Sequence, residues 1–235
     1  MKSLKFMLSA ATVLVASVTI HAQTADDIIN KHLDAIGGKD KLEQITSMVT
    51  ESSVNVMGND APATTTLLTG KGYKIEMEAN GQKVVQTITD KGGWAINPFQ
   101  GSASATAMPD DQYKGMEGTI YVDPFLDYAA HGSKVELKGI DGGAYKIVLT
   151  NKDNIVSTYY IDQTTYYLTK LTRTVNVMGN DAEVTSSFSD QRKTDFGITV
   201  PYAMGIDYGQ FQLAYTVKKV TVNGTVDPSV FDMPK

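Results

Sequence analysis

Apolar and polar residues alternate along most of the chain beyond residue 46. The alternation is clearest over residues 73–79, 145–150 and 211–217, where aliphatic or aromatic positions are separated by single polar ones. A period of two indicates β-strands with one apolar face and one polar face. Turn sequences such as Asn80-Gly81 and Gly142-Gly143 separate these strands. The pattern therefore predicts a mainly β fold of about ten or eleven strands, nearly all in hairpin order.

The segment before the first strand has a helical pattern instead. Thr24 is a good N-cap, and Asp26 and Asp27 fall in the first turn, where they complement the helix dipole. Apolar residues recur at helical spacing up to Ile36, and Gly37-Gly38 ends the pattern. We predict a helix here, followed by a further short turn of helix over residues 39–45.

The middle of the chain breaks the strand rhythm. Residues 98–109 are rich in glycine, serine and alanine and predict a loop, and residues 109–116 predict a short helix. Asp123-Pro124 has the character of an N-cap followed by proline at the first helical position, so a second short helix is predicted over residues 125–131. Two short helices thus interrupt one long antiparallel meander.

A sheet of this many strands must curl. If its apolar face is concave, the short helices are needed to cover the open side, and a lipid-sized cavity can remain beneath them. The alternative is that the strands form two packed sheets, which would leave no such cavity. A β-bulge is predicted at Lys218-Lys219, where the alternation slips by one residue.

The octapeptide Val-Asn-Val-Met-Gly-Asn-Asp-Ala occurs twice, at residues 54–61 and 175–182. Each copy joins a β-branched run to a Thr/Ser-rich run, and glycine and asparagine readily adopt the positive φ angles of tight turns. We predict that Gly58 and Gly179 lie in hairpin turns at equivalent places in two halves of one sheet. Either an internal duplication or reuse of a favourable turn would explain the repeat.

Residues 1–22 resemble a secretory signal peptide. Lys2 and Lys5 precede an apolar run over residues 6–20, which is short for a membrane span, and Ala22 offers a cleavage site. Residues 23–235 are then a single mature domain without a transmembrane span. The chain has no cysteine, which excludes disulfides and a lipid-modified cysteine, so a periplasmic protein without a lipid anchor is predicted.

Charge and side-chain chemistry exclude several functions. The formal charge of −5 becomes −7 when the two lysines of the signal peptide are removed, and no segment is strongly basic, so nucleic acid is not a predicted partner. His32 and His131 fall in different predicted helices without metal-ligand spacing, which favours structural roles. No nucleophile motif or phosphate loop is present. We predict no cofactor, no metal and no catalytic residues, although two facing carboxylates could still perform acid–base chemistry.

Bulky apolar residues near the interrupted region are candidates for contact with a ligand. Trp94 and Phe99 adjoin the loop of small residues, and Phe125, Leu126 and Tyr128 belong to the predicted second short helix. For Trp94 and Phe99, lining of a pocket and ordinary core packing are equally good interpretations. We predict that these five residues line one apolar pocket between sheet and helix.

Several short motifs, taken in order, resemble a known family. They begin with Ala25-Asp26-Asp27-Ile28-Ile29 and Ala35-Ile36-Gly37-Gly38, continue with Gly93-Trp94 and Asn97-Pro98, and end with Tyr160-Ile161-Asp162, Thr165-Tyr166-Tyr167-Leu168, Phe188-Ser189-Asp190-Gln191-Arg192, Val200-Pro201, Val222-Asn223 and Phe231 to Pro234. The chain thereby resembles outer membrane lipoprotein-sorting proteins of the LolA/LolB-like superfamily, in the form common in Bacteroidetes.

The resemblance implies a strongly curved, half-open antiparallel β-barrel closed by short helices. It also implies a periplasmic carrier whose apolar cavity holds lipoprotein acyl chains or another hydrophobic ligand. Sorting chaperones of this family use a buried arginine on an early strand to hold the lid, whereas the mature chain has only Arg173 and Arg192. The alternative function is a non-catalytic interaction or sensor module of the cell envelope, which would bind a protein or glycan partner.

Overall fold

The structure is a computed structural model, and it describes residues 23–56, 58–177 and 180–234. Within these residues, helix α1 is Ala25–Ile36, α2 is Lys39–Leu42 and α3 is Asp110–Met116. Short 3-10 helices span Pro98–Gln100, Glu117–Ile120 and Pro228–Phe231. The strands are β1 Ser47–Val56, β2 Asn59–Leu68, β3 Gly72–Ala79, β4 Gln82–Thr89, β5 Gly92–Asn97, β6 Ser102–Ala107, β7 Lys134–Asp141, β8 Ala144–Thr150, β9 Val156–Asp162, β10 Leu168–Val177, β11 Asn180–Lys193, β12 Thr199–Asp207 and β13 Gln212–Val222.

All thirteen of these strands belong to one antiparallel sheet, in the order β6-β5-β4-β3-β2-β1-β13-β12-β11-β10-β9-β8-β7. Strands that are successive in the chain are neighbours in the sheet, with the exception of β6 and β7, and β1 also pairs with β13 at the centre. The first and last strands therefore meet in the middle of the sheet, and β6 and β7 form its two edges. The predicted antiparallel meander is confirmed, with more strands than the ten or eleven expected.

The sheet is strongly curled. Helix α3 contacts both β5 and β10, which lie eight places apart in the strand order, so the two halves of the sheet face each other. Residues 108–133, named here the covering segment, connect edge strand β6 to edge strand β7 and carry α3. The predicted fold class, a strongly curved and half-open antiparallel β-barrel with short helices, is confirmed.

Two predictions for the middle of the chain were wrong. Ser102–Ala107 is edge strand β6 rather than part of a loop, because pairing with β5 compensates for its weak intrinsic preference. The helix predicted over residues 125–131 is instead a series of turns. Asp127 has φ 53°, a left-handed conformation that interrupts a right-handed helix. The short helix predicted up to Met116 is confirmed as α3.

The bulge predicted near the end of the chain is also confirmed. Glu51 pairs with Lys219 while the next residue, Ser52, pairs with Val217, so Lys218 is the extra residue in β13. Such a bulge adds twist and bends its strand, which suits a position at the centre of a curled sheet.

Buried apolar side chains form two clusters on the concave side. The larger cluster joins α1 to strands β8 and β9 and includes Ile28, Leu33, Ile147 and Ile161. The smaller one lies on β1, β2, β3 and β13, and its members come from the strands themselves, with Val54 fully buried. Helix α1 thus covers the half of the sheet formed by the later strands, whereas the covering segment also contacts β3, β4 and β5 of the other half.

The repeated octapeptide forms two hairpins with the same register. Val54 pairs with Ala61 in the first copy, and Val175 pairs with Ala182 in the second. In the first copy, Asn55 accepts a hydrogen bond from the Gly58 N–H at 3.1 Å and donates one to Asp60 at 2.8 Å. Two strands separate the hairpins in the sheet. The hairpin prediction is confirmed for Gly58, whereas Gly179 lies outside the described residues.

Gly58→Ala should lower the free energy of unfolding by about 1 kcal/mol, because an alanine at φ 88° is strained. Gly118→Ala is the matched control: neither glycine has an atom near the position of an added Cβ, but Gly118 does not need positive φ. Denaturant titration of both variants measures the difference. Equal stability of the two variants would refute the argument from turn geometry.

Candidate functional site

Helix α1 places a histidine on the concave side of the sheet. Thr24 and Asp27 form a capping box at the start of the helix, as the N-cap prediction required. Ile28 and His32 are one helical turn apart on the buried face, and His32 is only 2 % exposed. Where the helix ends, a Cβ on Gly37 would lie 3.0 Å from Ile198, so glycine allows the end of α1 to approach the residue that precedes β12.

Both ring nitrogens of His32 face acceptors. Nδ1 lies 2.8 Å from the carbonyl oxygen of Tyr166, and Nε2 lies 3.2 Å from Oδ2 of Asp123 in the covering segment. Burial by itself lowers the pKa of His32. The charge and hydrogen bond of Asp123, with the Tyr166 carbonyl, more than offset that effect and raise the pKa above 6.5. Below its folded-state pKa, His32 is an imidazolium that can donate to both partners.

Asp123 and Phe125 complete this contact between α1 and the covering segment. Oδ1 of Asp123 accepts a hydrogen bond from the Phe125 N–H at 2.8 Å. The Phe125 ring meets His32 edge-on with centroids 5.8 Å apart, and meets Tyr159 at 4.8 Å. Two exposed links support the same junction, from Tyr128 to Asp26 at 2.6 Å and from Lys39 to Asp127 at 2.7 Å.

A cavity of about 400 Å³ lies between α1, the covering segment and strands β8 to β12. Most of its wall is aliphatic and aromatic. Its apolar lining includes Ile36, Leu149, Ile155, Leu168, Leu171 and Ile198. A volume of this size falls within the range of about 300–1,000 Å³ that is usual for small-molecule sites. The arrangement can hold one apolar ligand of modest size.

Polar residues of the covering segment form one side of the cavity. Glu117 forms an ion pair with Lys152, with 2.9 Å between Oε1 and Nζ. His131 stacks on Tyr121 with ring centroids 3.7 Å apart, and burial lowers its pKa although the charge of Asp127 opposes this. Arg173 of β10 reaches across from the sheet, and its Nη1 donates to the carbonyl oxygen of Gly115 at 3.4 Å.

The five residues predicted to contact a ligand fall into two groups. Phe125, Leu126 and Tyr128 belong to, or pack against, the larger apolar cluster beside the cavity. Trp94 and Phe99 lie in the other half of the sheet: Trp94 is buried and donates from Nε1 to the Phe231 carbonyl at 2.8 Å, whereas Phe99 is exposed. The described cavity wall is formed by other residues, and ligand contact by these five stays a prediction.

Sequence reasoning missed several residues of the wall. Arg173 lies two residues after Leu171 and therefore on the same face of the strand. An arginine at such a core-facing position could have been identified from the sequence as a candidate site residue. His32 could have been identified in the same way, because it is a polar residue on the apolar face of α1. Residues such as Ile155 in the β8–β9 turn gave no local signal, since only the curl of the sheet brings them to the cavity.

Two features are absent from the part of the chain that the structure describes. No group of three or more histidine, aspartate or glutamate side chains among them is arranged to hold a metal ion. No helix within residues 23–234 combines the length and the apolar character needed to cross a membrane.

Solved structures share this architecture. A LolA superfamily protein from Nitrosomonas europaea aligns with a TM-score of 0.57 at 13 % identity, over 91 % of this chain and 99 % of that chain. A DUF1329 family protein from Desulfovibrio piger gives 0.56 at 13 % identity, over 88 % and 96 %. A putative outer membrane lipoprotein-sorting protein domain from Vibrio parahaemolyticus gives 0.57 at 9 % identity, over 87 % and 95 %.

By sequence, the chain matches no protein-family model and no curated protein. The structural alignments nevertheless cover nearly the whole of each matched chain, so this chain has the fold found in LolA superfamily proteins. The resemblance to the superfamily is thus confirmed at the level of the fold, and the Bacteroidetes form of it stays a prediction.

The buried contact of His32 should make stability depend on pH. Since the folded-state pKa is raised above 6.5, the contact stabilises fully below that pH and its contribution is lost as the pH rises through the folded value. His32→Gln should therefore unfold more easily than the wild type by about 1–3 kcal/mol at pH 6, with a smaller gap at pH 9. Denaturant titrations of His32→Gln and the wild type at several pH values measure this difference in the free energy of unfolding.

Asp123→Asn is the companion variant, because it keeps an oxygen for the Phe125 N–H and removes the charge. The difference in the free energy of unfolding between Asp123→Asn and the wild type should decrease with rising pH in the same way. His131 is present in all three proteins, so its titration cancels in the differences. A gap that stays constant or widens towards pH 9 would contradict the proposed protonation state of His32.

Proposed function

We propose that this protein is a carrier of the bacterial cell envelope that binds a hydrophobic ligand, such as an acyl chain, in the cavity beneath the covering segment. The observation that carries the proposal is the cavity itself, a largely apolar space of about 400 Å³ between the concave sheet and its cover. The activity proposed is binding rather than catalysis.

Physical chemistry supports binding by burial. Each methylene group of an alkyl chain that leaves water for an apolar site contributes about 0.8 kcal/mol. Leu149 of β8 and Leu168 and Leu171 of β10 present such a surface from the two strands beside β9. No specific polar contact is needed for affinity, so an acyl chain of a lipoprotein and a free lipid are both suitable ligands on this ground.

The location proposed is the periplasm. Lys2, Lys5 and the apolar run that follows support export, with cleavage after Ala22 and release of an unanchored mature protein. These residues lie outside the described part of the chain. The Vibrio parahaemolyticus structure is of a putative outer membrane lipoprotein-sorting protein domain, and the shared fold supports a related carrier role here. The partners proposed are therefore a hydrophobic ligand or lipoprotein acyl chains, with an envelope protein as a further partner.

Filling the cavity should abolish binding. Leu171→Trp adds bulk to the cavity wall, whereas Thr172→Trp puts the same side chain on the opposite face of β10. Binding of the neutral dye N-phenyl-1-naphthylamine, followed by its fluorescence in apolar surroundings, should fall at least tenfold in the first variant and stay unchanged in the second. Circular dichroism confirms folding.

If the folded wild type does not bind the dye, or if both variants bind it equally, the carrier function loses its basis. The interaction or sensor module would then be the better interpretation of this fold.

Trp94 provides a test of the predicted site residues. It is the only tryptophan, and its indole is buried and held by the Phe231 carbonyl. If Trp94 lies against the ligand, titration with dodecanoate should shift or quench its emission. If Trp94 emission does not change with dodecanoate while the dye assay reports binding, Trp94 does not contact the ligand. The binding site would then consist of the cavity wall described above.

A further inference from the structure

Charged residues in the cavity wall are balanced, with one exception. The described lining residues that can carry charge are His32, Glu117, Asp123, His131, Lys152 and Arg173. His32 is paired with Asp123, and Glu117 with Lys152. Burial lowers the pKa of His131, which favours its neutral form near pH 7. Arg173 is the charge that remains.

No carboxylate among the described residues compensates Arg173. The ion pairs formed by those residues do not include it. Its field reaches the hydroxyl groups of Tyr159, Tyr73 and Tyr208, but burial raises the pKa of each of these phenols, so they stay neutral. Arg192, the other arginine of the mature chain, is instead paired with Asp190 at 2.6 Å.

Arg173 is placed where a ligand can reach it. It follows Leu171 on the same face of β10, and it pairs in register with Ser157, another lining residue. Its side chain is half-buried. The hydrogen bond to the Gly115 carbonyl is long, at 3.4 Å, and has a neutral acceptor. A guanidinium has a planar set of donors that suits a carboxylate or phosphate oxygen pair better than a single carbonyl.

We propose that the ligand of this cavity is a single alkyl chain that ends in an anionic group, a carboxylate or a phosphate, and that Arg173 binds that group while the chain lies against the leucines. This proposal rests on the proposed carrier function and adds the class of ligand. The anion replaces the Gly115 carbonyl as the acceptor of Arg173. Binding of an acidic ligand thus changes a contact between the sheet and the covering segment.

The test compares three ligands with the same chain: dodecanoate, dodecyl phosphate and dodecan-1-ol. Each displaces N-phenyl-1-naphthylamine from the mature protein at pH 8. The wild type should bind at least one of the two anions about tenfold more tightly than the alcohol, a difference of ~1.4 kcal/mol. A preference for dodecanoate points to a fatty acid, and a preference for dodecyl phosphate points to a lipid phosphate.

Variants of both arginines separate the charge from the shape of the side chain. Arg173→Met should remove the preference for the anion and keep binding of the alcohol, and Arg173→Lys should retain most of the preference. Arg192→Met, the matched control, should behave as the wild type. Equal affinities for the three ligands in the wild type, or a preference that survives in Arg173→Met, would overturn the proposal.

A measurement on the wild type alone covers the case in which Arg173→Met does not fold. The carboxyl carbon of ¹³C-labelled dodecanoate reports the pKa of the bound acid by NMR. Pairing with Arg173 should hold that pKa below its value in water, whereas burial without a partner would raise it and contradict the proposal. If neither the dye nor dodecan-1-ol binds, the carrier function itself fails, which is a different result.

Discussion

A single curled sheet with an apolar concave face must be covered, and in this protein few residues are available to do it. The thirteen described strands leave β6 and β7 as separate edges, so the sheet does not close on itself. Helix α1 lies on the later strands and buries its side chains there, and the covering segment contacts both halves of the sheet. They do not fill the whole concavity, and the cavity is the volume that this incomplete cover leaves between Ile36, Leu149 and Leu171.

The cover is held by polar contacts as well as by its buried apolar residues, such as Ile28 and Phe125. Three contacts join the first helices to the covering segment: His32 with Asp123, Tyr128 with Asp26, and Lys39 with Asp127. Only the first is buried, and a buried pair loses much of its benefit when one partner is removed, because the other charge is left unpaired. The junction can therefore be firm at His32 while the exposed contacts beside it exchange readily with water.

Local sequence rules predicted the elements that are stabilised locally. The capping box of Thr24 and Asp27, the turn at Gly58 and the bulge at Lys218 each follow from side-chain or backbone preferences within a few residues. Strand β6 and the turns after Asp123 depend on distant partners instead. Ser102–Ala107 becomes a strand because it pairs with β5. The carboxylate of Asp123 is hydrogen-bonded to His32, which lies 91 residues earlier in the chain.

The candidate site was harder to predict for the same reason. Trp94 and Phe99 adjoin the small-residue segment and the predicted short helices in sequence, yet they lie in the half of the sheet away from α1. The described cavity wall combines residues from α1, the covering segment and strands β8 to β12, and no short window of sequence contains more than a part of it. Arg173, a charged residue in phase with the apolar Leu171, gave a sequence signal for the described cavity wall that Trp94 and Phe99 did not.

An apolar cavity that contains an uncompensated cation selects ligands by two independent properties. Its aliphatic wall favours any chain that fits, in proportion to the area removed from water. Its charge acts differently, because a half-buried guanidinium is only partly hydrated and gains most from an oxyanion that can reach it. His32 and Lys152 cannot supply this selectivity, since Asp123 and Glu117 already neutralise them. Affinity can then come from the leucines and selectivity from Arg173.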